Sequence, residues 1–294
     1  MSPTAITVAA VQTEPVLGAA QANIAATCAR ISEAAAHGAK LIVLPEAAST
    51  GYMFAGPGEA AAAAEPVPDG LACQAWVRLC ARLGVHVVAG VIERAGGAVY
   101  NAAVLIGPAG YIGTFRKVHL WNDEERLYAP GDLGFPVFAT GIGRIGMHIC
   151  YDGWFPESYR LCAVAGTDII CVPANWVPVP TQPVGYPAIA NLMVITGAHS
   201  NQVYIAAASR VGTERGQLFI GQSLIVDPTG VPLAGPASPD GEDILYATVD
   251  LIGSRSQRLA NPFNAPLRDR RSDVYGTWPG APAAATAPGS RGGG

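Results

Sequence analysis

The chain has 294 residues, 50% of them hydrophobic and only 14% charged, so it can bury a core of the upper size range for one α/β domain without needing a second. Its formal net charge is −4, with lysines and arginines scattered rather than gathered in a basic stripe, which argues against nucleic acid as a partner. No apolar run suggests a membrane span, and Met1-Ser2-Pro3-Thr4 lacks the charged start of a signal peptide, so no membrane association is expected.

Strand 5–12 comes first, followed by a helix over about 21–37 in which Ile24, Cys28 and Ile31 recur at helical spacing. Leu41-Ile42-Val43-Leu44 is a short apolar run without alternation, which predicts a fully buried strand over 41–45. The alanine-rich stretch Gly58 to Pro68 reads as a lid-like loop or short helix. Helix 70–83 and strand 86–93 follow, then strands 99–107 and 111–116 around the hairpin turn Gly107-Pro108-Ala109-Gly110. The second half predicts strands 135–139 and 144–149, helix 156–165, strand 168–173, helix 186–199 and strands 203–209, 218–226 and 244–250. Strands alternating with helices in both halves predict a layered α/β fold whose halves are alike in architecture, without a sequence repeat. Helix 186–199 carries Ile189, Leu192, Met193, Val194 and Ile195, as either a dimer helix or a core helix apolar all round. One domain is expected over 1–275, with the Pro/Ala/Gly-rich tail 276–294 flexible or pinned by a neighbouring subunit.

Three reactive side chains fall at predicted strand ends. Cys150 follows the buried strand Arg144-Ile145-Gly146-Met147-His148-Ile149 and opens the bulky turn Tyr151-Asp152-Gly153-Trp154-Phe155-Pro156-Glu157. A cysteine there gains backbone N–H donors, which favour the thiolate and can hold an oxyanion. Glu46 hangs off strand 41–45, and Lys117 follows strand 111–116. Ligands of α/β sheets bind beyond the carboxyl ends of strands, so the three are expected to converge on one pocket. Their chemistry would be nucleophilic acyl transfer, with Cys150 attacking a carbonyl, Glu46 managing protons and Lys117 stabilising the oxyanion.

Leu44-Pro45-Glu46, Arg116-Lys117-Val118-His119-Leu120 and Ile149-Cys150-Tyr151-Asp152, with Phe155-Pro156-Glu157 shortly after, resemble the nitrilase superfamily of carbon–nitrogen hydrolases. Three further segments match that family in order: Glu124 to Asp132, Cys171-Val172-Pro173-Ala174-Asn175-Trp176, and Ser209-Arg210-Val211-Gly212 through Gly221-Gln222-Ser223. The resemblance implies a four-layer α-β-β-α sandwich, a Glu46-Lys117-Cys150 triad acting through a thioester, and Glu124, in preference to Glu125, as a second glutamate that positions substrate or assists proton transfer. It also implies no cofactor and a homodimer or higher homo-oligomer.

Tyr52, Trp121, Tyr151, Trp154, Asn175 and Trp176 flank these positions and are candidate substrate-binding residues, about half of which should touch substrate. The other cysteines, Cys28, Cys73, Cys80, Cys162 and Cys171, read as small buried hydrophobes, and His148 as a core histidine. Unclustered thiols point to a reducing cytoplasmic setting. Gly141-Ile142-Gly143-Arg144-Ile145-Gly146 matches a dinucleotide fingerprint by letter, but it leads into a strand and so reads as a hairpin turn. No Cys-x-x-Cys or His-Glu-x-x-His spacing suggests a metal. The leading expectation is hydrolysis of a small carboxamide to acid and ammonia, because Cys150-Tyr151-Asp152 departs from the Cys-Trp-Glu more common in true nitrilases. The alternatives are N-carbamoyl hydrolysis, which would need a basic residue such as Arg210 or Arg215 near the site, turnover of a small nitrile, acyl transfer to an acceptor other than water, and a non-catalytic assembly protein.

Overall fold

The computed structural model describes residues 5–183, 185–257 and 263–275, so the expected tail 276–294 lies outside the described residues. The chain divides into two compact units, one reaching residue 258 and the other starting at 259. In order, the first unit runs β1 (Ile6–Gln12), α1 (Ala20–Ala36), β2 (Ala39–Val43), α2 (Pro57–Ala63), α3 (Leu71–Leu83), β3 (His86–Ala95), β4 (Ala98–Gly107), β5 (Gly110–Arg116) and α4 (Glu124–Leu127). It continues with β6 (Val137–Thr140), β7 (Gly143–Met147), α5 (Pro156–Val164), β8 (Ile169–Ala174), α6 (Ile189–Asn201), β9 (Tyr204–Ser209), β10 (Val211–Glu214), β11 (Gln217–Ile220), β12 (Leu224–Val226), β13 (Pro232–Ala234) and β14 (Asp243–Val249). In the second unit, Asp269 Oδ2 accepts a 2.6 Å bond from the Ala265 N–H ahead of the short helix α7 (Ser272–Tyr275).

Two six-stranded sheets form, ordered β14-β1-β2-β3-β4-β5 and β13-β12-β9-β8-β7-β6, and β10–β11 stands apart as a hairpin. Each sheet has a parallel trio, β1/β2/β3 or β7/β8/β9, extended by antiparallel neighbours. Alternation along β1 sorts the layers. Val8 and Ala10 pack between the sheets with Leu41, Val43, Ile145, Met147 and Ala206, whereas Ala9 and Val11 face Ile31 of α1 and Trp76 of α3. Helices α5 and α6 pack on each other, and α6 contacts β9 and β12 of the second sheet. The result is the layered α/β fold that the strand and helix pattern predicts, in the α-β-β-α form that the family resemblance implies.

Three local differences have physical causes. The expected strand 218–226 breaks into β11 and β12, because Gly221 and Gln222 take left-handed φ values of 60° and 63°. A Cβ at 221 would meet Gln12 Oε1 and Val211 Cγ1 at 2.6 Å, so the chain turns there between β10 and the first sheet. Helix α6 starts at Ile189 rather than 186, just past Pro187, and buries one face through Ala190, Asn191, Val194, Gly197, Ala198 and Asn201. Strand β7 stops at Met147, which leaves His148 and Ile149 to lead into the turn carrying Cys150. Among the described residues, no helix is long and apolar enough to cross a membrane.

His148 is fully buried, with its ring edge-on to Phe135 and Tyr159 and Nε2 3.5 Å from Cys162 Sγ. Burial lowers its pKa from 6.5 to about 4. The unfolded chain therefore takes up a proton below pH 6.5 that the folded chain refuses, so this stability is present above 6.5 and lost as pH falls toward 4. The gap corresponds to about 3 kcal/mol. Urea unfolding of wild type at pH 7 and pH 4.5 is expected to lose a large part of this, and His148→Asn to show a flatter pH dependence. Equal slopes in the two proteins would remove the assignment.

Candidate active site

Glu46 is carried by a loop pressed onto β3. Leu44 N–H donates to Val88 O at 2.8 Å, Gly90 N–H to Pro45 O at 3.1 Å and Ala48 N–H to Gly90 O at 3.0 Å. The approach is close enough that a Cβ at Gly90 would lie 2.4–2.6 Å from Ala47 N, Glu46 Cα and Pro45 O. Lys117 leaves β5 with its N–H on Asn101 O and its carbonyl accepting from Gly131 N–H, each at 2.8 Å. A Cβ at Gly131 would meet Arg116 O at 2.1 Å, so only glycine admits this crossing. Glu124 starts α4 but turns inward, where Oε2 accepts the Trp121 N–H at 2.6 Å and the residue is only 3% exposed.

The three side chains meet. Lys117 Nζ lies 2.8 Å from Glu46 Oε1 and reaches both Glu124 oxygens, at 2.9 Å (Oε1) and 2.8 Å (Oε2). Asn101 Nδ2 donates to Glu46 Oε1 at 2.6 Å and Glu124 Oε1 at 2.8 Å, and Tyr52 OH donates to Glu124 Oε1 at 2.9 Å. Among the described residues, Glu46 Oε2 has no hydrogen-bond partner. Two buried carboxylates thus share one buried ammonium. Burial raises the Glu46 pKa, and the attraction of Lys117, opposed by repulsion from Glu124, does not bring it back. Burial pulls Lys117 down, but Glu124 and Glu46 outweigh it and hold the ammonium well above its ordinary pKa.

Cys150 is half-buried and opens a five-residue 3-10 turn in a left-handed backbone conformation, φ 44°. Asp152 holds the turn: Oδ2 accepts from Ile149 N–H at 3.1 Å, and Oδ1 accepts from His119 N–H at 2.9 Å and His119 Nδ1 at 2.8 Å. His119 stacks on Phe155 at 3.6 Å, so the segment after Lys117 is tied to the cysteine turn. The sulfur sits within electrostatic reach of Glu46, Lys117 and Glu124 and accepts the Asn175 backbone N–H. Its pKa is nevertheless well raised, by burial first and then by Glu46, against the pull of Lys117 and the Asn175 N–H. The sequence favours a thiolate, whereas the folded site favours a thiol. The difference comes first from burial of the sulfur and then from the carboxylates that outnumber the single ammonium beside it.

A cavity of about 150 Å³ opens beside this cluster, a volume of the kind that holds a benzene-sized molecule. Its lining includes Tyr52, Trp121, Glu124 and Asn175, together with Phe54, Leu127 and Val177. Of the other candidate contacts, Trp176 is 2% exposed and packed in the core, while Tyr151 faces a neighbouring groove with His119 and Phe155, and Trp154 lies against Tyr151 at 6.0 Å. Asn175 is 3% exposed, and neither Oδ1 nor Nδ2 finds a protein partner. Arg210 is buried on Glu214 at 2.6 Å, and Glu214 Oε2 in turn accepts the N–H groups of Tyr52 and Met53 at 2.8 and 2.6 Å. Arg215 pairs with Glu59 of α2 and donates to Met53 O, so the β10–β11 hairpin grips the cavity wall. Asn101, Asp152 and Glu214 join this site without having been singled out in the sequence. A lone amide at the head of the apolar run Ala102-Ala103-Val104-Leu105 was the available signal for Asn101. Among the described residues, no group of three or more His, Cys, Asp or Glu could hold a metal.

The carbon-nitrogen hydrolase family profile matches residues 7–258. A nitrilase from Pyrococcus abyssi is 40% identical over 270 residues, covering 92% of this chain and 99% of its own. A citrullinase from Francisella tularensis is 31% identical over 265 residues, covering 86% and 91%. A carbon-nitrogen hydrolase from Helicobacter pylori, known from its crystal structure, superposes with a TM-score of 0.82 at 28% identity over 92% of this chain and 97% of its own. With the profile spanning most of its length and relatives this similar along theirs, the chain belongs to the carbon-nitrogen hydrolase family.

Proposed function

We propose that the protein hydrolyses a small primary carboxamide to carboxylic acid and ammonia through a thioester on Cys150. The observation that carries this reading is the preponderance of unpaired buried acceptors in and beside the Glu46–Lys117–Glu124 cluster: among the described residues, Glu46 Oε2, Asn101 Oδ1 and Asn175 Oδ1 lack donors, against one unpaired donor, Asn175 Nδ2. A carboxamide –NH2 brings two N–H donors to such a wall, whereas a nitrile brings none and leaves buried acceptors unpaired.

In the first step the Cys150 thiol gives its proton to Glu46 Oε2 as the sulfur bonds to the amide carbon. The carbonyl π-electrons move to oxygen, where the Lys117 ammonium and a backbone N–H near Tyr151 hold the charge. The C–N bond then breaks as Glu46 returns the proton to nitrogen, releasing ammonia. Water, deprotonated by Glu46, attacks the thioester; the C–S bond breaks and the sulfur regains a proton. A carboxyl with a raised pKa suits both directions of transfer. Glu124, fixed by Trp121, Tyr52 and Asn101, keeps Lys117 aimed and forms part of the cavity wall. A ureido group presents the same –NH2 and carbonyl, so N-carbamoyl substrates follow as the second reading, in keeping with the citrullinase among the relatives.

Ammonia release from pentanamide, an N-carbamoyl amine and valeronitrile is expected to rank amide or ureide above nitrile; turnover of the nitrile alone would overturn the proposal. Cys150→Ala is expected to lose at least about 10⁴-fold in kcat while keeping its unfolding midpoint, and an acyl adduct on residue 150 should be seen by mass spectrometry only in wild type. Residual turnover near wild type would exclude the thioester. Glu46 must be ionised to accept the thiol proton, so activity is present above its pKa and lost below it. Because that pKa is raised, the acid limb of kcat/KM should sit above the ordinary 4.5; a limb at or below 4.5 would show that Glu46 is not the base.

A further inference from the structure

Most arginines around the site are already committed to carboxylates, and the one that lines the cavity is not. Arg116 is held by Glu93 and Asp132, Arg210 by Glu214, and Arg215 by Glu59. Arg126 lines the cavity, is exposed, and forms no ion pair among the described residues. Asp123 lines it too, three residues earlier and likewise exposed. Opposite charges at this spacing on one helical turn are neighbours and ordinarily pair with each other. Here the Arg126 backbone N–H donates to Asp123 O at 2.9 Å, but the two side chains do not pair.

Between them stands Glu124, the residue of the same turn that points the other way and touches Lys117. A single short turn therefore presents a carboxylate to the reaction centre, and a carboxylate and a guanidinium to the mouth. Glu124 lines the cavity together with Asp123 and Arg126, so a methylene chain laid through it would join an amide at the reaction centre to a charged group at the mouth. Phe54, Leu127 and Val177 supply apolar wall that suits such a methylene chain, beside the amides of Asn122, Asn175 and Gln217.

We propose that the substrate carries an α-amino acid head group at the end opposite its scissile amide, with Arg126 binding the carboxylate and Asp123 the ammonium. This rests on the amide reading above, and it explains why the mouth holds one charge of each sign rather than a uniform field. A fork of guanidinium N–H donors takes a carboxylate bidentately, and the adjacent Asp123 favours a zwitterion over a simple anion, which it would repel.

The test is kcat/KM for four amides of similar length: L-glutamine, glutaric acid monoamide, 4-aminobutanamide and pentanamide. L-Glutamine is expected to exceed each of the others by about tenfold or more. In Arg126→Gln the glutamine-to-pentanamide ratio should fall by about tenfold, through KM, and in Asp123→Asn the glutamine-to-monoamide ratio should fall. Preference for the monoamide, the amine or the neutral amide in wild type overturns the proposal, as does an unchanged ratio in both variants. Turnover of pentanamide without preference for glutamine sinks this inference alone. Ammonia from none of the four sinks the amide reading beneath it.

Discussion

One ammonium shared by two buried carboxylates organises the site. Lys117 cannot give up either glutamate without leaving an uncompensated charge in a buried wall, a loss worth about 3–5 kcal/mol when a buried pair is broken. The three residues come from separate parts of the chain, so their contact ties the loop after β2, the end of β5 and the start of α4 into one rigid unit. The same arrangement leaves one negative charge in excess, which burial turns into proton affinity. Burial first, and the neighbouring carboxylates after it, make the Glu46 carboxyl and the Cys150 thiol hold protons more tightly than they would in water.

The sandwich supplies the geometry through backbone approach more than through side-chain packing. Gly90 lets the Glu46 loop lie flat on β3, and Gly131 lets the strand segment carrying Lys117 be crossed by the chain that follows α4. Asp152 and His119 link that segment to the cysteine turn from the second sheet. The reactive groups therefore sit on supports locked by main-chain hydrogen bonds, the condition under which a site keeps its geometry through a multi-step reaction.

Much of this was legible in the residue order. The unalternating Leu41-Ile42-Val43-Leu44 run and the hairpin at Gly107 to Gly110 gave the strands that deliver Glu46 and Lys117, because burial on both faces and turn chemistry both leave local marks. The ends of elements were less legible. Nothing local told where β7 stops or that Gly221 breaks a strand, the latter resting on close approach to Gln12, far back along the chain, and to Val211 of β10. Whether Cys150 rests as thiol or thiolate depends on how deeply the sulfur is buried and on the charges around it. Trp176 flanks the loop beyond β8 in sequence yet points into the core, and only three-dimensional packing separates it from Asn175 one residue earlier.

The left-handed backbone at Cys150 limits which amino acids the position can host. A β-branched side chain is a steric outlier in that region, so threonine is closed off as an oxygen nucleophile whatever its chemistry. Serine fits the same dihedral angles, but its hydroxyl is a far weaker acid than a thiol, and the electron-rich surroundings would make it weaker still. The torsion thus restricts the evolutionary exits from sulfur at this place to residues without a branch next to the main chain.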